Sequence, residues 1–419
     1  MFKKALVLTV GTGTRPDVNI VLPLIKTVKD SRPDHVVFVV TKLSQEYAQA
    51  IAQDLALEPS TFDIKVLVNF DDVQAVFMEV NRLLRQLLEQ GFSPADIQVD
   101  FTSGTKAMSA GAVLAAVYQG CQSLKYITGE RDHGVVKNGT ERFVSFCPNA
   151  IFANQEIKIA VELIKQLRFI PACEILDNLN PNLLADHELD LVANLQRVAQ
   201  AYDFWDHFEH LKFSGTAKKV KWHLHELQQF QPSEDVVRQV HGLGLLLQND
   251  QNVANELVIV DLFNNAKRRA REGRYDDGLA RLYRLAEMLA QHILASRHKI
   301  ITANVDLAHV PAAMHPIMAA HRDPDTGQIK IGLRIAYRLL EALNEEVGKK
   351  YISDKRLTHL LNERNHTILA HGNKPATAGL YQKLEKSIVE LVTLQITDFI
   401  SKCQKFNFPW LRQPDSDGN

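Results

Sequence analysis

The chain reads as a two-part molecule: a Rossmann-like α/β domain whose mostly parallel sheet ends in a hairpin, then an all-α C-terminal half. Three observations carry this reading. Short apolar runs alternate with amphipathic stretches as far as Phe146, β-rich runs stop after Pro148, and 419 residues exceed what one hydrophobic core organises.

The apolar runs Lys4 to Val10, His35 to Thr41, Ile64 to Val68, Ile97 to Phe101 and Leu124 to Ile127 are the expected strands. Amphipathic stretches beginning near Val18, Gln45, Asp72 and Thr105 lie between them, which implies right-handed crossovers and parallel pairing. Further on, Asn138-Gly139 sits between strand-like residues and predicts an antiparallel closing hairpin. From Ile151 onward Leu, Ala, Glu and Gln recur at helical spacing, with breaks near Pro181, Ser214-Gly215, Pro232 and Asp323-Pro324. The expected divisions are 1–150 for the α/β domain, 151–250 for a helical connecting region, 251–412 for a second helical domain and 413–419 for a polar tail.

With 46% hydrophobic and 23% charged residues, the chain can bury a proper core. Lys and Arg total 48 against 49 Asp and Glu, so no bulk positive field exists and any nucleic-acid contact must be local; no stable DNA complex is expected. The four cysteines, Cys121, Cys147, Cys173 and Cys403, form neither a zinc motif nor a disulfide framework, which fits a reducing cytoplasm. The opening MFKKALVLTVGTGT reads as a buried strand running into a glycine turn rather than as a secretion signal, and no stretch reaches the roughly 20 apolar residues that span a bilayer.

Ligands of doubly wound sheets bind beyond the carboxyl ends of the strands, so the turns after the first and fourth strands are the places to search. The first runs into Gly11-Thr12-Gly13-Thr14, the fourth into Asp100-Phe101-Thr102-Ser103-Gly104-Thr105-Lys106 and a small-residue helix. Glycines allow close backbone approach, and a helix N-terminus reinforced by Lys106 suits a phosphate. Neither loop fits the dinucleotide fingerprint or the Walker pattern, which disfavours ordinary NAD or ATP use. The plain alternative is that both turns only connect strands to helices.

In the helical half, Ser353-DKRLTHLLNERNHTILAHG-Asn373 predicts one helix capped by Ser353 and ended by Gly372. Helical projection puts Leu357, Leu360, Leu361 and Ile368 on one stripe, with Arg364 and His371 inside it, ~10 Å apart along the axis. His359 and His366 project to the opposite, solvated face. Histidine shuttles protons near neutral pH and arginine clamps phosphate, the two roles that metal-free RNA cleavage needs. A helix C-terminus at His371 would favour its imidazolium. A structural ion pair with another helix is the bland alternative.

TVGTGT followed by DFTSGTKAMSAG resembles the CARF domain of type III CRISPR ancillary proteins, which hold a cyclic oligoadenylate across a dimer axis. The resemblance implies Gly11, Thr12, Gly13 and Thr14 at one edge of the ligand, Ser103, Gly104, Thr105 and Lys106 at the other, and Thr41 and Lys42 as weaker contacts. The run Arg364-Asn365-His366-Thr367-Ile368-Leu369-Ala370-His371 resembles the HEPN ribonuclease signature and implies Arg364, Asn365 and His371 as catalytic. Tyr275-DDGLARLYRLAEMLAQ is similar to the first helix of that group, with Arg281, Arg284 and Glu287 in structural roles. In the family two motifs from two subunits form one site, so the resemblance implies a homodimer.

The expected protein is a cytoplasmic endoribonuclease of type III CRISPR defence. It needs no metal or catalytic cofactor, is switched on by cyclic tetra-adenylate in preference to hexa-adenylate, and cuts single-stranded RNA non-specifically to 2′,3′-cyclic phosphate and 5′-hydroxyl ends. The rivals are a non-catalytic ligand-responsive regulator, a CARF ring nuclease activity that degrades the activator alongside RNA cleavage, and a lone HEPN toxin.

Overall fold

The computed structural model describes residues 4–13, 21–132, 135–136, 139–181, 184–248, 255–370 and 372–412. Two compact units emerge, one of residues 1–157 and 179–186, the other of residues 158–178 and 187–419.

The first unit alternates β1 (Ala5–Val10), α1 (Val21–Ser31), β2 (His35–Val40), α2 (Gln45–Asp54), β3 (Phe62–Val66), α3 (Val73–Glu89), β4 (Ile97–Asp100), α4 (Lys106–Tyr118) and β5 (Ser123–Thr128). A two-residue ribbon, β6 (Arg131–Asp132) and β7 (Val135–Val136), precedes β8 (Arg142–Phe146). The six-stranded sheet runs β3-β2-β1-β4-β5-β8, parallel except for the antiparallel β5–β8 pair. The closing hairpin is therefore present, with the ribbon folded into its connection; Asn138 lies outside the described residues, as does Val18, where the first helix was expected to begin.

Side chains alternate across this sheet as a period of two requires. Val7, Val37 and Val39 pack under α3 and α4, whereas Leu6, Leu8, Val36 and Phe38 pack under α1 and α2. The small residues of α4 are explained by close packing: a Cβ on Gly111 would lie 2.6 Å from the Val76 side chain of α3. The third strand begins two residues earlier than its apolar run, because a 3-10 turn at Pro59–Thr61 delivers Phe62 to the sheet edge, and Val68 is left exposed.

Helix α5 (Asn149–Lys165) leads into the second unit, which is helical throughout its described residues. It continues with α6 (Phe169–Asp177), α7 (Asp186–Asp206), α8 (His210–Ala217), α9 (Glu234–Gln248), α10 (Glu256–Arg271) and α11 (Tyr275–His298). Then come α12 (His315–Ala319), α13 (Leu333–Ala342), α14 (Glu346–Ser353), α15 (Lys355–Asn365), α16 (Ala378–Thr393) and α17 (Phe399–Lys405). Ser214-Gly215 does not break the chain as expected: both lie inside α8, where the Ser214 hydroxyl donates to the Leu211 carbonyl at 3.0 Å.

An aromatic core joins α7 and α8 to the C-terminal segment, with Phe408 4.8 Å from Tyr202 and 5.0 Å from Trp205. Beside it lies a buried ionic network. Asp206 accepts from Arg268 Nε at 2.6 Å and Asn265 Nδ2 at 2.9 Å and pairs with Arg269, while Asp261 accepts from Trp205 Nε1 at 3.1 Å and meets His210 at 2.7 Å.

Candidate functional site

In the first unit, β1 lies between β2 and β4, the point where the strand order reverses and a crevice opens beyond the carboxyl ends. The loops after these two strands meet there. A Cβ on Gly11 would sit 2.7 Å from the Gly104 Cα, so the backbones touch only because residue 11 is glycine. Gly104 also has φ +108°, a conformation that other residues rarely adopt. Across the same contact, Gly11 N donates to Ser103 Oγ at 3.0 Å, and the Thr9 hydroxyl donates to the Ser103 carbonyl.

Several expected ligand contacts are already engaged inside the protein. Thr105 is the N-cap of α4: its hydroxyl accepts from Met108 N at 3.1 Å and donates to the Phe70 carbonyl at 2.8 Å. Thr41 is buried and bonded to Ser44, whose hydroxyl donates to the Val10 carbonyl at 2.6 Å and so ties the end of β2 to the end of β1. Thr12, Gly13, Lys42, Gly104 and Lys106 are exposed. Thr14 lies outside the described residues.

Behind this crevice Asp100 is fully buried, with Oδ1 accepting from Thr102 N at 2.8 Å and Oδ2 unpaired among the described residues. Burial raises its pKa above the ordinary carboxylate value, against the opposing hydrogen bonds from Thr102 and Thr27 and the attraction of Lys125.

In the second unit, the expected long motif helix is shorter at both ends. Ser353 closes α14, and Asp354 caps α15 by accepting from Leu357 N at 2.9 Å. Leu357, Leu360 and Leu361 are buried as projected, but α15 ends at Asn365 and Ile368 is exposed. The buried Thr367 ends it: its N–H and hydroxyl both donate to the Arg364 carbonyl at 2.9 Å. The chain then doubles back, with Gly372 N donating to the Thr367 carbonyl at 3.1 Å and Ile368 N to the Lys374 carbonyl at 3.1 Å.

The expected single helix from Ser353 to Gly372 is therefore not formed. Helix α15 ends at Asn365, and the described residues that follow it, 366–370, are not helical. His371 itself lies outside the described residues. His359 is exposed and 3.5 Å from Glu363, and His366 is also exposed.

Arg364 and Asn365 stand together at the C-terminal end of α15, Arg364 NH1 lying 3.4 Å from Asn365 Oδ1. The Arg364 guanidinium stacks 4.4 Å over the Tyr283 ring of α11 and makes no ion pair among the described residues. On the same helix Arg284 pairs with Glu287 at 3.1 Å, and Arg281 donates to Asn265 and to the Asp277 carbonyl at 3.0 Å. Among the described residues no three His, Cys, Asp or Glu side chains group to hold a metal ion, and no helix is long and apolar enough to cross a membrane.

Residues 249–395 match the family model described as the Csm6 HEPN domain. The chain as a whole shares its fold with Enterococcus italicus Csm6 bound to cyclic hexa-2′-fluoro-hexa-dAMP: TM-score 0.60, 13% identity, 96% of this chain and 98% of that one covered. No curated protein sequence matches closely enough to add to these two findings. The order of a mostly parallel α/β unit followed by a helical unit is thus the fold shared with that Csm6.

Within the matched residues, Tyr283 and Thr367 were not singled out from the sequence. Thr367 lies inside the quoted motif, and its β-branched side chain beside Ile368 was the available signal that the helix ends there. Tyr283 had no signal beyond its place between Arg281 and Arg284. Ser44 in the first unit had none either.

Proposed function

We propose that this chain is a cyclic-oligoadenylate-activated endoribonuclease of type III CRISPR antiviral defence. The observation that carries the reading is Arg364, which projects from the end of α15 in the HEPN domain with its guanidinium held on Tyr283 and no carboxylate to neutralise it among the described residues. A fixed, uncompensated cation suits the charge that develops on a phosphorane.

In the proposed reaction the RNA 2′-oxygen loses its proton and attacks the adjacent phosphorus, and the 5′-oxygen leaves with a proton. The products are a 2′,3′-cyclic phosphate and a 5′-hydroxyl. Arg364 clamps the phosphate, Asn365 orients it, and His371 moves protons, a role that rests on the spacing of the motif. This chemistry asks for no metal. Single-stranded RNA is the substrate, since an unpaired strand can bring its 2′-oxygen in line with the leaving oxygen. Ile368 and Leu369, exposed apolar side chains beside Arg364, support a homodimer in which two motifs share one site.

The activator binds in the first unit, where Gly11 and Gly104 bring two loops together beneath the exposed Thr12, Gly13 and Lys106. Thr14, Ser103 and Thr105 border the same crevice in this proposal, with Thr41 and Lys42 at its margin. Cyclic tetra-adenylate is the favoured ring, and the hexa-adenylate is tested beside it. Either ring activates only by binding the cleaving arrangement more tightly than the resting one.

The test is cleavage of a fluorescent single-stranded RNA in EDTA, with each ring or none, by wild type, Arg364→Ala and His371→Ala. Cleavage that requires one ring and falls by about 10²–10³-fold in either variant supports the reading. Binding of a ring without any cleavage would favour a non-catalytic regulator.

A further inference from the structure

A second cationic site lies in the helical unit, apart from Arg364. Asn264, Lys267, Arg268 and Arg271 follow one another at i, i+3, i+4 and i+7 on α10 and so share one face. That face lines a cavity of about 150 Å³ against Gln404 of α17 and Arg412. Four cations therefore converge, and among the described residues no carboxylate lines the cavity. In a chain with a net charge of −1 this is a local concentration of positive charge.

The cations are only partly accounted for by the protein. Arg268 is 1% exposed; its Nε is bonded to Asp206, its guanidinium stacks 4.1 Å from the Phe408 ring, and its NH2 has no hydrogen-bond partner, the nearest carboxylate oxygen, on Asp261, being 3.8 Å away. Arg412 donates from NH2 to the Asn407 carbonyl at 3.2 Å while its buried Nε is unpartnered. Lys267 and Arg271 make no hydrogen bond or ion pair among the described residues, although Glu385 lies near enough for Lys267 to oppose the rise of its pKa. A helix C-terminus attracts cations, and Arg269 paired with Glu272 is explained that way. Arg412, from another segment, is not.

We infer that this cavity is a phosphate-binding site that takes one backbone phosphate of single-stranded RNA. Guanidinium groups and a lysine around an acid-free hollow match a phosphodiester, and 150 Å³ falls short of the ~300 Å³ at which pockets begin to enclose a whole small ligand. A single group on a longer strand fits better than a free nucleotide. The inference rests on the proposed RNA substrate and adds to it a second grip on the strand.

The experiment is fluorescence anisotropy of the full chain with a 2′-O-methylated single-stranded RNA, which lacks the attacking hydroxyl and stays intact. Wild type is compared with Lys267→Gln/Arg271→Gln, both exposed positions, with circular dichroism to confirm folding. We expect about tenfold weaker binding for every RNA sequence and a salt dependence shallower by about one unit of slope, the share of a single phosphate. Equal affinity in the two proteins would overturn the site while leaving the nuclease reading intact. Weaker RNA binding in the double variant, together with failure of wild type to cut unmodified RNA in the presence of either cyclic oligoadenylate, would keep the site and sink the nuclease reading. Inorganic phosphate is the second probe: if it raises the melting temperature of wild type alone and RNA affinity is equal, the site holds free phosphate and the RNA assignment is wrong.

Discussion

A guanidinium laid on an aromatic face keeps its charge and donors while losing rotational freedom, which is what a phosphate clamp requires. Tyr283 provides that face for Arg364, and its own pKa is pushed up, first by burial and then by Glu287, with Arg364 opposing, so the phenol stays neutral. Tyr283→Phe keeps the ring and should leave RNA cleavage within about twofold. Tyr283→Ala removes it, and loss of a cation–π contact of about 1–2 kcal/mol should lower cleavage about 5–30-fold. Parallel loss in both variants would show that the hydroxyl, not the face, matters. Asp100 poses a different residue-level question. Its pKa is raised in the fold by burial, so the folded state holds its proton more tightly than the unfolded chain, and stability falls as pH rises above the ordinary carboxylate value. Asp100→Asn removes that penalty. Its stability relative to wild type should grow from acid to neutral pH, read from the urea midpoint of hydrogen-exchange protection in β1 and β4. A pH-independent difference would mean that Asp100 does not titrate there.

At the scale of elements, the motif depends on how α15 stops. Gly372 is seated against the His366 carbonyl, and a Cβ at this position would collide with that oxygen, so Gly372→Ala must open the loop that follows Arg364. We expect RNA cleavage to drop at least tenfold while the far-ultraviolet spectrum stays unchanged, since a misplacement of about 1 Å is enough to cost that much or more. Full activity would show that the loop is not held in this form. This stop was the least legible feature of the sequence. Between Asp354 and Gly372 no glycine or proline interrupts the helical pattern, and Ile368 and Leu369 extend the apolar spacing. What decides is the Thr367 hydroxyl, which competes for the Arg364 carbonyl, and the return of the chain to pair with Lys374. The sheet was legible for the opposite reason. Buried parallel strands must be continuous apolar runs, and HVVFVV can be little else. The Gly11–Gly104 contact was half legible: the glycines announced close backbone approach, but only the fold revealed that each is the other's neighbour.

For the molecule as a whole, composition gave no hint that its second unit is organised around buried charge. Asp206 at the end of α7 holds Asn265, Arg268 and Arg269 of α10, and Arg281 of α11 reaches Asn265 from the other side. These three helices are therefore fixed by a network centred on one carboxylate as well as by apolar packing. Removing one partner of such a network is far more damaging than never having built it, because guanidinium groups stay buried without their counter-charge. Asp206→Ala should accordingly destabilise the unit by about 3–5 kcal/mol, and Asp206→Asn, which keeps an acceptor, by less. All three tryptophans, Trp205, Trp222 and Trp410, belong to this unit, so the midpoint of urea unfolding followed by intrinsic fluorescence reports on it alone. A loss below about 1 kcal/mol in Asp206→Ala would mean that water reaches Arg268 and Arg269 and that the aromatic packing of Trp205 and Phe408 holds the helices without the charge.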